Sequence, residues 1–168
     1  MGGIAKSMSA YPILLVEDDE NDVFFFRRAM QLAEIDHPFE VARNGQEAID
    51  YCSGSGEFAD RSRYPAPGLI ILDLNLPYKS GFEVLEWLRK NPATLQTIVV
   101  VFSSSTAEGD VSRAYTAGAN SYLVKQGSPK GLVELLKLIK AYWLGANVPA
   151  PKAGLGFPLS PIEKPANS

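Results

Sequence analysis

With 168 residues, 46% of them hydrophobic and 21% charged, the chain is long enough for one substantial core and is unlike a disordered protein. Its formal net charge of -3 argues against nucleic acid and anionic membranes as partners, and no stretch of about 18 apolar residues predicts a membrane span. The single cysteine, Cys52, excludes an internal disulfide and suits a reducing compartment. No signal peptide is evident, so we expect a cytoplasmic protein.

Short apolar runs alternate along the chain with segments of helical spacing. The runs predict strands at 13–16, 39–42, 69–72, 98–102 and 122–124. Helices are predicted at 21–35, 45–52, 81–90, 109–117 and 128–144. Five repeats of strand then helix predict an α/β fold, in which a doubly wound parallel sheet carries helices on both faces.

Turn residues and prolines indicate the limits of the domain. Ser128-Pro129 supplies a cap and a first-position proline for the last helix, and Asn91-Pro92 ends the third. Prolines at 149, 151, 158, 161 and 165 exclude a regular helix or central strand near the C-terminus. We therefore expect an N-terminal extension at 1–10, one domain at 11–145 and a Pro-rich tail at 146–168.

Acids, hydroxyls and an amine follow the predicted strands. The first strand ends in Glu17-Asp18-Asp19, the third in Asp73, the fourth in Ser103 and the fifth in Lys125. The carboxyl ends of parallel strands share one edge of a sheet, where sites in this architecture lie. Crowded carboxylates there would repel one another unless a hard cation sat among them, and Mg2+ fits such oxygen ligands.

Each of these features alone has a simpler interpretation. An acidic cluster before a helix is usually a capping turn, a lone lysine is usually ordinary surface, and serines before a helix usually cap it. The combination at the ends of separate strands is what predicts chemistry. An acid beside a metal, a lysine and a hydroxyl are the parts that phosphoryl transfer requires.

Four segments in this order carry a resemblance to a known family. They are ILLVEDD at 13–19, LDLNLP at 72–77, VVFSS at 100–104 and AGANSYLVK at 117–125. Over residues 13–144 the chain resembles the chemotaxis-type receiver domains of two-component response regulators. That resemblance implies a flavodoxin-like sheet with strand order 2-1-3-4-5 and a phosphoacceptor signalling protein rather than an enzyme.

The resemblance also implies roles for the acids. Asp73 would accept a phosphoryl group from a histidine on a sensor kinase. Asp18 would bind Mg2+ directly, Glu17 would be its partner in the acid pair, and Asn75 would offer its backbone carbonyl to the metal. Asp73 itself would complete the metal site.

Three further residues would complete the switch. Ser103 would hydrogen-bond the phosphoryl group, Lys125 would pair with it, and Tyr122 would change rotamer when Ser103 moves. The family usually has proline, commonly after a cis bond, where Gln126 follows Lys125 here. A cis bond before a non-proline residue costs about 2.5 to 4 kcal/mol, so we expect a trans bond and a different reach of Lys125.

The same residues argue against two other functions of this architecture and leave a third open. A flavin-binding module needs a phosphate loop where three acids stand, and an aspartate-nucleophile phosphatase wants a second acid where Asn75 stands. A pseudo-receiver, folded in this way but used only as a scaffold, stays open because of Gln126.

A narrower likeness concerns partners. The phenylalanine-rich first helix, the long loop after the second helix and Tyr142-Trp-Leu look like small regulators paired with bacterial phytochromes. On a helical projection Phe24 and Ile35 fall opposite the apolar half of the first helix, which suggests a kinase contact. Apolar residues wrap well over half of the last helix, which predicts a homodimer through the last strand and helix or, alternatively, cover by the tail.

Overall fold

Apolar strands form the middle of the molecule. The computed structural model describes residues 11–150, so the extension at 1–10 and the tail from 151 lie outside the described residues. The strands are β1 (Ile13–Val16), β2 (Phe39–Ala42), β3 (Leu69–Leu72), β4 (Ile98–Ser103) and β5 (Ser121–Val124). The helices are α1 (Glu20–Leu32), α2 (Gly45–Ser53), α3 (Gly81–Lys90), α4 (Glu108–Thr116) and α5 (Pro129–Ala141). A 3-10 turn at Gly56–Phe58 follows α2, and a π-helical turn at Tyr142–Ala146 follows α5.

The five strands form one parallel sheet in the order β2-β1-β3-β4-β5. The predicted flavodoxin-like order is therefore confirmed. The register pairs Val16 of β1 with Leu72 of β3, and Leu72 in turn with Val101 of β4. Because these residues lie side by side, the residues that follow them emerge together at one edge of the sheet.

Alternate residues of each strand serve two separate apolar layers. Leu14 and Val16 of β1 belong to the layer that packs against α2, α3 and α4. Ile13 and Leu15 belong to the other layer, which packs against α1 and α5. Side chains on a strand point alternately to opposite faces, so a strand covered on both faces must be apolar throughout. The central strands β1 and β3 are buried at every position for this reason. No helix among the described residues has both the length and the apolar character needed to cross a bilayer.

Local capping decides where the helices begin. The side chain of Asp19 accepts hydrogen bonds from the backbone N–H groups of Asn21 and Asp22, which begins α1 directly after the acid pair. Ser80 and Glu83 form a capping box at the start of α3, and Ser128 caps α5 ahead of Pro129.

The end of α1 differs from the prediction. The helix ends at Leu32, and Ala33 is its C-cap, so Ile35 lies in the following turn rather than on the helix. Ile35 is buried in the layer beneath α1, and its expected exposure is wrong because the helical projection does not apply beyond the cap. Glu34, with φ 55°, adopts the left-handed conformation that reverses the chain there.

The buried stripe of α1 is narrower than the projection predicts. Phe24 is exposed as predicted, but Phe25 and Leu32, which fall on the apolar half of the helical projection, are exposed as well. The positions that face the sheet are Val23, Phe26, Ala29 and Met30. Their spacing of three or four residues covers one strip of a helix, and residues at its margins remain in solvent.

A close backbone approach fixes the loop between β3 and α3. The N–H group of Gly81 donates to the carbonyl of Leu74 at 2.9 Å. A Cβ atom at residue 81 would overlap the carbonyl oxygen of Asp73 and would lie 2.7 Å from the Cα of Leu74. Only glycine fits this position without moving the backbone that carries Asp73.

We predict that Gly81→Ala lowers the free energy of unfolding by about 1 to 3 kcal/mol, the range for overpacking a filled site. Urea denaturation measures the change. Gly109→Ala in α4 is the matched control, because a Cβ atom there meets nothing within 4 Å. Alanine is the better helix former, so the control should be as stable as the wild type or more stable by up to about 1 kcal/mol. Equal stability of Gly81→Ala and the wild type would contradict the close approach.

Candidate functional site

The carboxyl ends of the strands bring the predicted site residues to one edge of the sheet. The backbone N–H of Asp73 donates to the carbonyl of Val16 at 3.1 Å, which continues the pairing of β3 with β1. The N–H of Lys125 donates to the carbonyl of Ser103 at 2.9 Å, which continues the pairing of β5 with β4. Backbone pairing thus holds Asp73 and Lys125 in place before their side chains interact.

The ammonium of Lys125 is the centre of the site. Its Nζ donates to Glu17 Oε2 at 2.7 Å, to Asp73 Oδ2 at 2.9 Å and to Asp22 Oδ2 at 3.0 Å. The structure therefore brings together Glu17, Asp73 and Lys125, as the sequence predicts. Asp22 was missed in the sequence, although its place in the first turn of α1 could have indicated a side chain near the strand ends.

Burial and charge set the ionisation of this group. Burial raises the pKa of Glu17 to about 7, the charge of Asp73 adds to that rise, and the hydrogen bond from Lys125 opposes it. Burial by itself would lower the pKa of Lys125. The hydrogen bonds to Glu17, Asp73 and Asp22 outweigh burial and hold that pKa above its ordinary value, so the ammonium keeps its charge.

Three of the predicted acids have the arrangement of a cation site. Carboxylate oxygens of Glu17, Asp18 and Asp73 all lie within 4.8 Å of one another. Glu17 and Asp73 are buried, whereas Asp18 is exposed and faces the solvent from which an ion would arrive. An all-oxygen, anionic donor set fits a hard divalent cation.

Asn75 lies beside the acidic cluster. Its backbone N–H donates to Asp73 Oδ1 at 3.2 Å, so both oxygens of Asp73 are engaged, one by Asn75 and one by Lys125. This bond holds the loop after β3 against the carboxylate. The contribution of the Asn75 carbonyl to a metal stays a prediction.

Ser103, at the end of β4, and Tyr122, in β5, belong to a second hydrogen-bonded group that includes Ser105 of the loop after β4. Ser103 is fully buried, and its Oγ accepts from the N–H of Ser105 at 3.1 Å. The Tyr122 hydroxyl donates to the carbonyl of Ser105 at 2.8 Å. The Ser105 hydroxyl donates to Asp110 Oδ2 at 2.6 Å, a contact that the sequence did not indicate. Ser105 thus connects Ser103 to Tyr122 and to the first turn of α4.

Gln126 does not prevent Lys125 from reaching the acids. The described residues contain no cis peptide bond, so the bond before Gln126 is trans as expected. The Nζ of Lys125 nevertheless lies 2.9 Å from Asp73 Oδ2. The Gln126 side chain donates to the carbonyl of Val124 at 3.0 Å and folds back on β5.

Comparison with known proteins identifies the family of the chain. Residues 13–137 match the family described as the response regulator receiver domain. The chain belongs to this family. It is 37% identical over 132 residues to the response regulator Rcp1 of Synechocystis sp., an alignment that covers 79% of this chain and 88% of that protein. It is also 35% identical over 146 residues to FilR2 of Methanothrix harundinacea, described as a probable methanogenesis regulatory protein, covering 87% and 92% of the two chains.

Solved structures of receiver proteins share the fold. The Mn2+-bound form of Rcp1 has a TM-score of 0.75 at 35% identity and covers 84% of this chain and 99% of that chain. The phosphorylated cyanobacterial phytochrome response regulator RcpA has a TM-score of 0.78 at 33% identity with the same coverage. The predicted recognition of a receiver, including the likeness to phytochrome-associated regulators, is confirmed.

We predict that Asp18→Ala weakens Mn2+ or Mg2+ binding at least about tenfold, since loss of even an outer contact costs a metal site that much. Isothermal titration calorimetry measures the affinity. Glu20→Gln is the matched control. It removes one negative charge only two residues from Asp18, but the Glu20 side chain is exposed and lies outside the cluster. Equal affinities of the wild type and Asp18→Ala would exclude Asp18 as a ligand.

Proposed function

We propose that Asp73 of this receiver accepts a phosphoryl group from a phosphohistidine of a sensor histidine kinase, with Mg2+ as cofactor. The observation that carries the proposal is the 2.9 Å contact between Lys125 Nζ and Asp73 Oδ2 beside a cluster of three carboxylates. That arrangement supplies a carboxylate oxygen as nucleophile, positive charge beside it, and acids suited to a cation.

The chain's own residues would position the groups. A lone pair of the Asp73 carboxylate forms the new O–P bond, and the electrons of the breaking P–N bond return to the imidazole of the donor. Lys125 and the hydroxyl of Ser103 would bind oxygens of the transferred group. Glu17, Asp18, Asp73 and the Asn75 carbonyl would hold Mg2+, whose charge offsets the repulsion between acid and phosphoryl donor.

The hydrogen bonds around Ser105 support a route from phosphorylation to the surface. A phosphoryl oxygen that draws the Ser103 hydroxyl competes with the bond that Ser103 Oγ accepts from Ser105. Movement of Ser105 would break its bond from the Tyr122 hydroxyl and let that ring change rotamer. Phosphorylation switches generally work through such a local change that biases a two-state element.

A light-sensing kinase is the proposed partner. RcpA, a phytochrome response regulator by its description, has the same fold at 33% identity. A pseudo-receiver that acts as a scaffold without phosphorylation is the alternative. The acidic cluster and its lysine favour the phosphoacceptor, because a scaffold has no use for carboxylates crowded at a partly buried edge.

The phosphoacceptor prediction is tested with a small phosphodonor, acetyl phosphate, and Mg2+. Intact-mass measurement should detect one added phosphate on the wild type and none on Asp73→Asn. Asp36→Asn, at an exposed position in the loop between α1 and β2, is the control and should be phosphorylated like the wild type. Phosphate retained at the wild-type level on Asp73→Asn would refute the assignment, and an unmodified wild type would favour the scaffold.

The face of α5 away from the sheet supports the proposed homodimer. In α5, Leu138 is 67% exposed although Leu132, Leu136 and Ile139 are buried. Tyr142, in the π-helical turn that follows α5, is 56% exposed. The neighbouring edge strand β5 is only partly buried along its length. Apolar residues exposed beside a sheet edge are the kind of surface that a second copy can cover about a two-fold axis.

We predict that Leu138→Lys weakens dimer formation at least about tenfold, because two-fold symmetry removes the same apolar contact twice. Sedimentation with and without beryllofluoride reports both the assembly and its dependence on a phosphoryl mimic. Leu95→Lys changes another exposed leucine, in the loop between α3 and β4, and should leave the assembly unchanged. A wild type that sediments as a monomer in both conditions would contradict the proposed interface.

A further inference from the structure

Lys125 has one more carboxylate partner than the proposed reaction uses. From this we infer that Asp22 is a positioning residue: it holds the Lys125 ammonium while Asp73 is unmodified and gives up its place to a phosphoryl oxygen. The inference rests on the proposed function and names a residue in α1 that regulates that same site.

The number of donors on the ammonium makes an exchange necessary. A lysine ammonium carries three N–H groups, and these are matched here by Glu17 at 2.7 Å, Asp73 at 2.9 Å and Asp22 at 3.0 Å. A phosphoryl group on Asp73 brings additional anionic oxygens to the same place. Lys125 can bind one of them with a full hydrogen bond only if it releases one of its present partners.

Burial decides which partner is released. The side chain of Glu17 is 3% exposed and that of Asp73 is 9% exposed, whereas that of Asp22 is 47% exposed. If Lys125 released Glu17, a buried carboxylate would lose its cation, and if it released the esterified Asp73, a buried carboxyl oxygen would lose its donor; both are costly, whereas the exposed carboxylate of Asp22 is taken up by water. Asp22 also has the longest contact of the three, so it is the partner that leaves at the lowest cost.

The surroundings of Asp22 give the released carboxylate a place in solvent. Asp22 and Lys125 both line a cavity of about 320 Å³ between the start of α1 and the loop after β5. Water in this cavity can solvate Asp22 without any rearrangement of α1. The exchange therefore needs only a movement of the Asp22 side chain. Until it moves, the Asp22 carboxylate competes with the phosphoryl group for Lys125.

Removing the competitor should strengthen binding of a phosphoryl mimic. We expect Asp22→Asn to bind beryllofluoride, in saturating Mg2+, about two- to fivefold more tightly than the wild type, the range expected for a partly exposed ion pair. Isothermal titration calorimetry on the full chain measures the affinity. Asp22 also lies in the first turn of α1, where an acid stabilises the helix, but loss of that structural role would weaken binding rather than strengthen it.

Glu20→Gln is the matched control for charge. It removes one negative charge from the same helical turn, yet Glu20 contacts Arg43 and not Lys125. Tighter binding by Asp22→Asn alone supports the exchange. Unchanged affinity in Asp22→Asn, or equal tightening in both variants, overturns it. If the wild type itself binds no beryllofluoride in Mg2+, the proposed function fails, and the exchange fails with it.

Discussion

The site depends on one partly buried ammonium and the carboxylates that converge on it. Glu17 and Asp73 are held at the end of a sheet where little water reaches them, and two such charges side by side repel. Lys125 reduces that repulsion because its hydrogen bonds to both acids keep it charged. The same three groups explain why a divalent cation suits the edge and why a phosphoryl group could be accepted there. Carboxylates outnumber the ammonium at this edge, so a divalent cation offsets an excess of negative charge that a phosphoryl group would increase.

The acids follow buried strands of the sheet, whereas the residues of the proposed switch lie beside the partly buried edge strand β5. β1 and β3, which end in the acids, are buried along their whole length, and the close approach of Gly81 fixes the loop behind Asp73. β5 is only partly buried, and the hydrogen bonds that connect Ser105 with Tyr122 lie on its side of the sheet. Segments with fewer buried contacts open at lower free energy. In the proposed switch, a change of charge at Asp73 would therefore move residues beside β5 without unfolding the core.

Gln126 stands where the family usually has proline, and this difference shows which contacts hold Lys125 in place. The bond between Lys125 and Gln126 is trans, and Lys125 still contacts Asp73. The backbone N–H of Lys125 pairs with the carbonyl of Ser103, so the β4–β5 ladder sets the position of the lysine. Substitution at the next residue leaves that ladder intact. Rcp1, which has been crystallised with Mn2+, and RcpA, crystallised in phosphorylated form, share the fold that carries this arrangement. The family resemblance read from four short segments thus extends to the whole fold.

The sequence by itself determined the alternation of strands and helices, most helix limits and the meeting of Glu17, Asp73 and Lys125, because buried parallel strands have a plain apolar signature and their carboxyl ends share one edge. The strand order was implied by the family resemblance. Only the tertiary structure decided which side chains contact at distances across the chain. Asp22 and Lys125 are 103 residues apart, and no local pattern indicates that α1 points this acid at that amine. The width of the buried stripe on α1 was likewise decided by packing, since a helical projection gives the direction of each side chain but not how far the sheet extends beneath it.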